Sequence, residues 1–168
     1  MQEFFLEEAV NKVLSAASAP DGVAVHWTTP DSPIAVCVDR GQIERILANL
    51  VTNALQAMPG GGELKLRVTS RDESAVAEIT DTGLGIVEEN IAKVFEPLYT
   101  TKVSGMGLGL AISKTFAEVN CEKIEAESKP GRQTTFRLLL PLLHKRNRPF
   151  DRQNPRFSML CGESGLVV

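Results

Sequence analysis

Between Asp81 and Leu110 the chain reads DTGLGIVEENIAKVFEPLYTTKVSGMGLGL, with glycine clusters at Asp81–Gly85 and Gly105–Leu110. Glycine lets a backbone take positive φ and approach a ligand closely, at an entropic cost that an ordinary element avoids. Two such clusters bracketing a short helix and a polar loop suggest a nucleotide held between them. A second set of candidates lies upstream. Asn49 and Asn53 are four residues apart, hence neighbours on one helical face, with Gln56 just beyond. Two amides at the rim of an apolar arc point toward whatever that helix borders.

The surrounding pattern supplies elements to hold these residues. Phe5, Leu6, Ala9, Val13 and Ala17 recur near helical spacing and predict an amphipathic helix over 3–17, broken at Pro20-Asp21-Gly22. Val23–Thr29 alternates as a half-buried strand, and Ile34–Val38 is a short second one. Asp39 caps a helix reaching about Met58, with Ile43, Ile46, Leu47, Leu50, Ala54 and Met58 on one arc. Glu63–Ser70 and Ser74–Thr80 read as a hairpin ending at Asp81. Val87–Val94 reads as a short helix, Phe95–Met106 as a loop, Gly107–Val119 as a helix, and Lys123–Ser128 and Thr134–Leu140 as closing strands. A helix layer on a mixed sheet is an α/β (α+β) two-layer sandwich, and the missing βαβ alternation excludes a doubly wound fold.

The chain has 168 residues, 43% hydrophobic and 5% aromatic, which predicts one globular unit with an aliphatic core. Its net charge of −3 is unevenly spread: residues 142–168 carry net +3, leaving −6 on the rest. That balance argues against a nucleic-acid-binding core. Cys37, Cys121 and Cys161 are odd in number and lack ligand-like spacing, so they read as reduced thiols in a cytosolic setting. No apolar run approaches the ~18 residues of a membrane span, so the segment reads as soluble and free of membrane contact. From Leu142 periodicity is lost, which divides the chain into a domain over 1–141 and a basic, flexible tail over 142–168.

In this order the motifs resemble the catalytic ATP-binding domain of a bacterial two-component sensor histidine kinase, with its Bergerat-type (GHKL) fold. Asn49-Leu-Val-Thr-Asn53 is similar to the N box, Asp81-Thr-Gly83-Leu-Gly85 to the first glycine box, Phe95-Glu-Pro97-Leu-Tyr-Thr-Thr-Lys102 to the F box, and Gly105-Met-Gly107-Leu-Gly109-Leu to the second glycine box. The resemblance implies a mixed, mostly antiparallel sheet of about five strands on three helices, with Mg²⁺ and ATP as cofactors. It implies that Asn53 ligates Mg²⁺, an ion that prefers oxygen donors, and that Asn49 lies near the same metal-bound water and the phosphates. Asp81 would accept a hydrogen bond from the adenine amine, with Gly83 and Gly85 beside the base and Ile86 as an apolar wall. Gly105, Gly107, Leu108 and Gly109 would form the hinge of a lid and the phosphate-facing helix start. Lys102 or Lys114 would bring a mobile positive charge to the phosphates, and Lys102, in the loop, is the better candidate. Phe95, Leu98 and Leu108 would pack or hinge, and Thr134 and Thr135 would reach the base through water or simply follow strand propensity.

The pattern also departs from the family. Gln56 stands where relatives carry a basic residue, Asn120-Cys121-Glu122 replaces His-Gly-Gly, Gln133 replaces a glycine, and Leu98 replaces an aromatic. His26 and His144 are the only histidines, and neither sits in the acceptor motif of the family. The resemblance therefore implies partners: a histidine-bearing helical dimerisation domain, in a longer chain or in trans, and a downstream response regulator receiver domain. It places the segment in the cytoplasm, whether or not the sensor is anchored in a membrane. Three other readings stay open at this point. A gyrase-type hydrolase would need a glutamate where Asn49 stands, since an amide cannot serve as general base. A stand-alone anti-sigma-factor-like serine kinase and a nucleotide-binding pseudokinase are the others.

Overall fold

The computed structural model describes residues 1–99, 107–119 and 123–143. In chain order the elements are β1 (Gln2–Phe5), α1 (Leu6–Ala16), β2 (Val23–Thr28), β3 (Ala35–Val38), α2 (Arg40–Gln56), β4 (Gly62–Arg71), β5 (Ser74–Asp81), α3 (Glu88–Ile91), α4 (Gly109–Val119), β6 (Lys123–Lys129) and β7 (Gln133–Pro141). Five strands form one sheet in the order β2-β4-β5-β7-β6, antiparallel except for β2 beside β4. The α/β two-layer reading is therefore correct, and the mixed sheet comes from that one parallel edge.

Strand alternation separates the two faces. Leu64, Leu66 and Val68 of β4, Ile79 of β5, and Phe136, Leu138 and Leu140 of β7 are buried toward the helices. The opposite face carries a charged ladder in which Glu78 bonds both Arg67 and Arg137, and Arg137 reaches Glu127. The helix layer is built around α2, whose Ile43, Ile46, Leu47 and Leu50 are essentially inaccessible. Asp39 caps it through Oδ1, which accepts from the Gln42 N–H at 3.0 Å, an interaction worth about 1 kcal/mol. Helix α1 buries Leu6, Ala9, Val10 and Val13 on one stripe. Its outer side is tied to α2 by Lys12–Glu44 (2.5 Å) and Arg40–Glu8 (3.2 Å).

Several boundaries differ from expectation. Phe4 and Phe5 belong to a strand and not to the first helix: β1 pairs antiparallel with β3 in a separate two-stranded sheet. That pairing satisfies backbone groups that a helix starting at residue 3 would leave open, and it buries Phe4 while Phe5 faces outward. The second short strand, β3, is consequently outside the main sheet. The expected helix over 87–94 divides into the single turn of α3 and a 3₁₀ turn at Lys93–Phe95. Leu142 and Leu143 continue the hydrogen bonding, donating to the Glu73 and Ala35 carbonyls, so the ordered unit runs past residue 141. The remainder of the basic segment, from His144 onward, lies outside the described residues. No described helix is long and apolar enough to cross a membrane.

Candidate functional site

The apolar arc of α2 fixes which of its residues face away from the core. Asn49, Thr52, Asn53 and Gln56 fall on the flank and line a cavity of about 440 Å³, a size suited to a nucleotide-scale ligand. The cavity is bounded by α2, by the segment after β5, and by the start of α4. Asn49 and Asn53 are thus brought together on one wall, as the sequence spacing predicts. The Asn49 Nδ2 donates to the Gly109 carbonyl at 3.2 Å and to the Ser113 Oγ at 3.0 Å.

Alternation along β5 places Asp81 on the inward face with Ile79, and the strand's end carries it to the cavity. The residue is 1% exposed. Its Oδ1 accepts the Gly83 N–H at 2.9 Å, which holds the carboxylate at the buried end of the pocket. Register pairs Asp81 with Thr134 of β7, also buried and also on the cavity wall. Ser128 donates to the Gln133 carbonyl and accepts the Ile86 N–H at 2.7 Å. Its 2.9 Å contact with Thr134 is therefore one in which Thr134 gives the proton. Thr135 instead bonds Thr80 on the other face, so of the two threonines only Thr134 meets the cavity.

Gly83 has a structural job that the sequence did not disclose. A Cβ there would run into the Ala57 carbonyl and lie 2.8 Å from the Ala57 Cβ. The loop after β5 is laid directly on the end of α2, where the Leu84 N–H donates to the Ala57 carbonyl at 3.1 Å. Gly85 and Ile86 follow as cavity wall, with Ile86 also packed against the core.

At the other end Gly107, Leu108 and Gly109 line the cavity where α4 begins. Gly107 has φ 64°, and a Cβ would sit 2.6 Å from the Tyr99 carbonyl oxygen, so only glycine fits this left-handed turn. The first amides of α4 have no partner inside the helix, and its dipole favours an anion there. Lys102 and Gly105 lie outside the described residues. Phe95 packs edge-on against the cavity-lining Phe136, with ring centroids 6.3 Å apart. Of packing and hinging, Leu98 does not pack: it is 71% exposed, with φ 67°, in a turn held by its own N–H to the Gly107 carbonyl.

Among the described residues no three His, Cys, Asp or Glu side chains gather to hold a metal. The polar side chains on the α2 wall are the amides of Asn49, Asn53 and Gln56 and the hydroxyl of Thr52. That set does not fit zinc. It fits a hard cation that keeps its waters and arrives with phosphate oxygens, taking one protein ligand. Sequence reasoning missed Ser113, which is fully buried. The legible signal was a polar residue between Gly109 and Ala117 at helical spacing. It also missed Ala57, Tyr99 and Phe136, whose contribution to the cavity depends on tertiary packing.

Residues 38–144 match the family described as histidine kinase-, DNA gyrase B- and HSP90-like ATPase. The sensor histidine kinase TmoS of Ectopseudomonas mendocina is 36% identical over 136 residues, covering 77% of this chain and 14% of that protein. The sensor protein FixL of Bradyrhizobium diazoefficiens is 33% identical over 144 residues, covering 80% of this chain and 28% of that protein. The chain thus spans under a third of the length of either relative. Among solved structures, the nucleotide-free catalytic domain of histidine kinase ThkA superposes with a TM-score of 0.74 at 28% identity, covering 83% of this chain and 94% of that one.

Proposed function

The chain belongs to the histidine kinase-, DNA gyrase B- and HSP90-like ATPase family, as an ATP-binding catalytic domain of the sensor histidine kinase kind, and from that premise we propose that it presents Mg-ATP to a histidine on a separate helical dimerisation domain and transfers the γ-phosphoryl group to it. The observation that carries this reading is one cavity with a buried carboxylate at one end and paired amides facing a helix start at the other. The buried Asp81 carboxylate accepts from the adenine amine, and Gly83, Gly85 and Ile86 flank the base. Asn53 supplies the protein oxygen for Mg²⁺, with Asn49 beside it. Gly107, Leu108 and Gly109 present α4 amides to the phosphates, and Lys102 and Gly105 act in the lid on sequence grounds alone. Mg²⁺, when bound, neutralises phosphate charge.

Transfer to an imidazole nitrogen forms a P–N bond, breaks the bond from the γ-phosphorus to the β–γ bridging oxygen, and releases ADP. Such a reaction needs positioning and charge stabilisation from the protein more than acid–base chemistry. Asn49 in place of a carboxylate disfavours direct hydrolysis, because an amide cannot activate water. The acceptor domain and a response regulator receiver domain are the proposed partners, in a cytoplasmic setting. The proposed catalytic unit is residues 1–141, extended by Leu142 and Leu143.

Incubation of the chain with labelled ATP, Mg²⁺ and a histidine-bearing helical domain tests the proposal. Acid-labile, base-stable phosphate on that domain is the expected result. Acid-stable phosphoserine on a partner would move the assignment to a serine kinase, and ATP binding without any transfer would refute catalysis.

A further inference from the structure

The Asn49 amide is held in one orientation by groups that leave it no choice. A carbonyl oxygen has no proton, so the Asn49 atom 3.2 Å from the Gly109 carbonyl must be the nitrogen. Ser113 gives its own proton to the same carbonyl at 2.9 Å, and so offers only lone pairs to Asn49 at 3.0 Å. Both acceptors select Nδ2. Turning the amide over would set its oxygen against the Gly109 carbonyl and could be met by Ser113 only if that hydroxyl gave up its own bond to the same carbonyl. Because the amide is planar, its oxygen is left on the opposite side, and Asn49 lines the cavity.

We propose that Ser113 is a positioning residue: its hydroxyl locks the Asn49 amide so that the acceptor oxygen serves the metal and phosphate end of the site. A serine in a helix often bonds the carbonyl four residues back with no further meaning. Here the same hydroxyl also accepts from a residue 64 positions away, on the helix across the cavity. Ser113 is 0% exposed and does not line the cavity, so any influence on a ligand passes through Asn49. The inference rests on the reading that Asn49 serves the metal–phosphate end.

The test is calorimetry of ATP binding to the full chain, in Mg²⁺ and in EDTA, for the parent, Ser113→Ala, Asn49→Ala and the double variant. Ser113→Ala removes one oxygen, and the metal-free affinity together with the melting curve reports the fold in the same samples. The expected result is about a fivefold weaker Mg-ATP affinity for Ser113→Ala, the effect of one ordinary hydrogen bond, with metal-free ATP unchanged. The double variant should bind no worse than Asn49→Ala. Equal weakening with and without Mg²⁺ would show a merely structural hydroxyl and overturn the proposal. Full Mg²⁺ dependence in Ser113→Ala but not in Asn49→Ala would overturn it while leaving the role of Asn49 intact. Retention of that dependence in Asn49→Ala would remove both.

Discussion

Replacing Asp81 by asparagine puts the adenine assignment at risk with almost no change in shape. In the parent, one carboxylate oxygen is occupied by the Gly83 N–H at 2.9 Å, and in the proposal the carboxylate also accepts from the adenine amine. Both partners are donors. Asparagine has one acceptor oxygen and one donor nitrogen, so it can satisfy Gly83 or adenine but not both. The free protein will keep the Gly83 bond, since a chain turn depends on it, and will then aim an NH₂ group at the base. The loss is a charge-assisted hydrogen bond, plus a buried donor facing a donor at a residue 1% exposed. Together these cost about 3 kcal/mol, roughly a hundredfold in Kd. Inosine triphosphate carries an acceptor oxygen where ATP has the amine, so Asp81→Asn should reverse the preference between the two. Calorimetry with both nucleotides, beside a melting curve, measures this. An ATP affinity within threefold of the parent, with an unchanged ATP-to-inosine ratio, would refute the role of Asp81 in reading the base.

Asn53→Ala should weaken ATP binding about tenfold in Mg²⁺ and little in EDTA, the scale of one hydrogen bond or ligand to a charged group; equal affinities in Mg²⁺ would sink the metal assignment. Gly83→Ala forces a methyl against the Ala57 carbonyl, and overpacking of this kind costs about 1–3 kcal/mol. A lower Tm in a thermal melt is expected even without nucleotide, and an unchanged Tm would mean that the loop and α2 separate freely. Glu44 is held below the usual carboxylate range chiefly by its hydrogen bond from Lys12, with Arg40 adding to it. A depressed pKa contributes stability above the unfolded-state value and loses it as pH falls through the folded one. Thermal melts from pH 7 to pH 3 should therefore show the gap between the parent and Glu44→Gln narrowing below about pH 4.5; a constant gap would show that the α1–α2 ion pairs do not couple to folding.

What was legible in the sequence were features set by local rules. The α2 arc, its Asp39 cap, the β4–β5 hairpin and the order of the motifs follow from periodicity, capping and turn chemistry, and they place Asn49, Asn53 and Asp81 on one cavity. What was not legible depended on partners distant in the chain. Phe4 and Phe5 fit a helical stripe as well as a strand, and only the availability of β3, some thirty residues on, decides between them. Leu142 and Leu143 have no periodic neighbours, yet the Glu73 and Ala35 carbonyls hold them. Gly83 was read as lying beside a base, and that its missing Cβ also makes room for Ala57 could not be seen in the sequence. Such meanings arise only when two segments meet.

The same meeting points explain how a site with two ends is kept in one geometry. Ala57 closes α2 and receives the loop that follows Asp81, through the Leu84 N–H. Asn49, eight residues earlier on the same helix, is bonded to the first turn of α4. At 1.5 Å per residue these contacts are about 12 Å apart along a helix buried on its other face. The spacing between the Asp81 end and the α4 end of the cavity is thus set by the length of one rigid element and not by a flexible loop. A displacement at the start of α4, beside the left-handed Gly107, must either stretch the Asn49 and Ser113 bonds or move α2. The second course would disturb Ile43, Ile46, Leu47 and Leu50 in the core. The weaker link is the pair of amide hydrogen bonds. Motion of the α4 end should therefore be absorbed there, leaving the Asp81 end undisturbed. Hydrogen exchange on adding Mg-ATP should then protect Gly109–Ser113 strongly and leave the interior of α2 unchanged; equal protection along α2 would show that the helix itself moves.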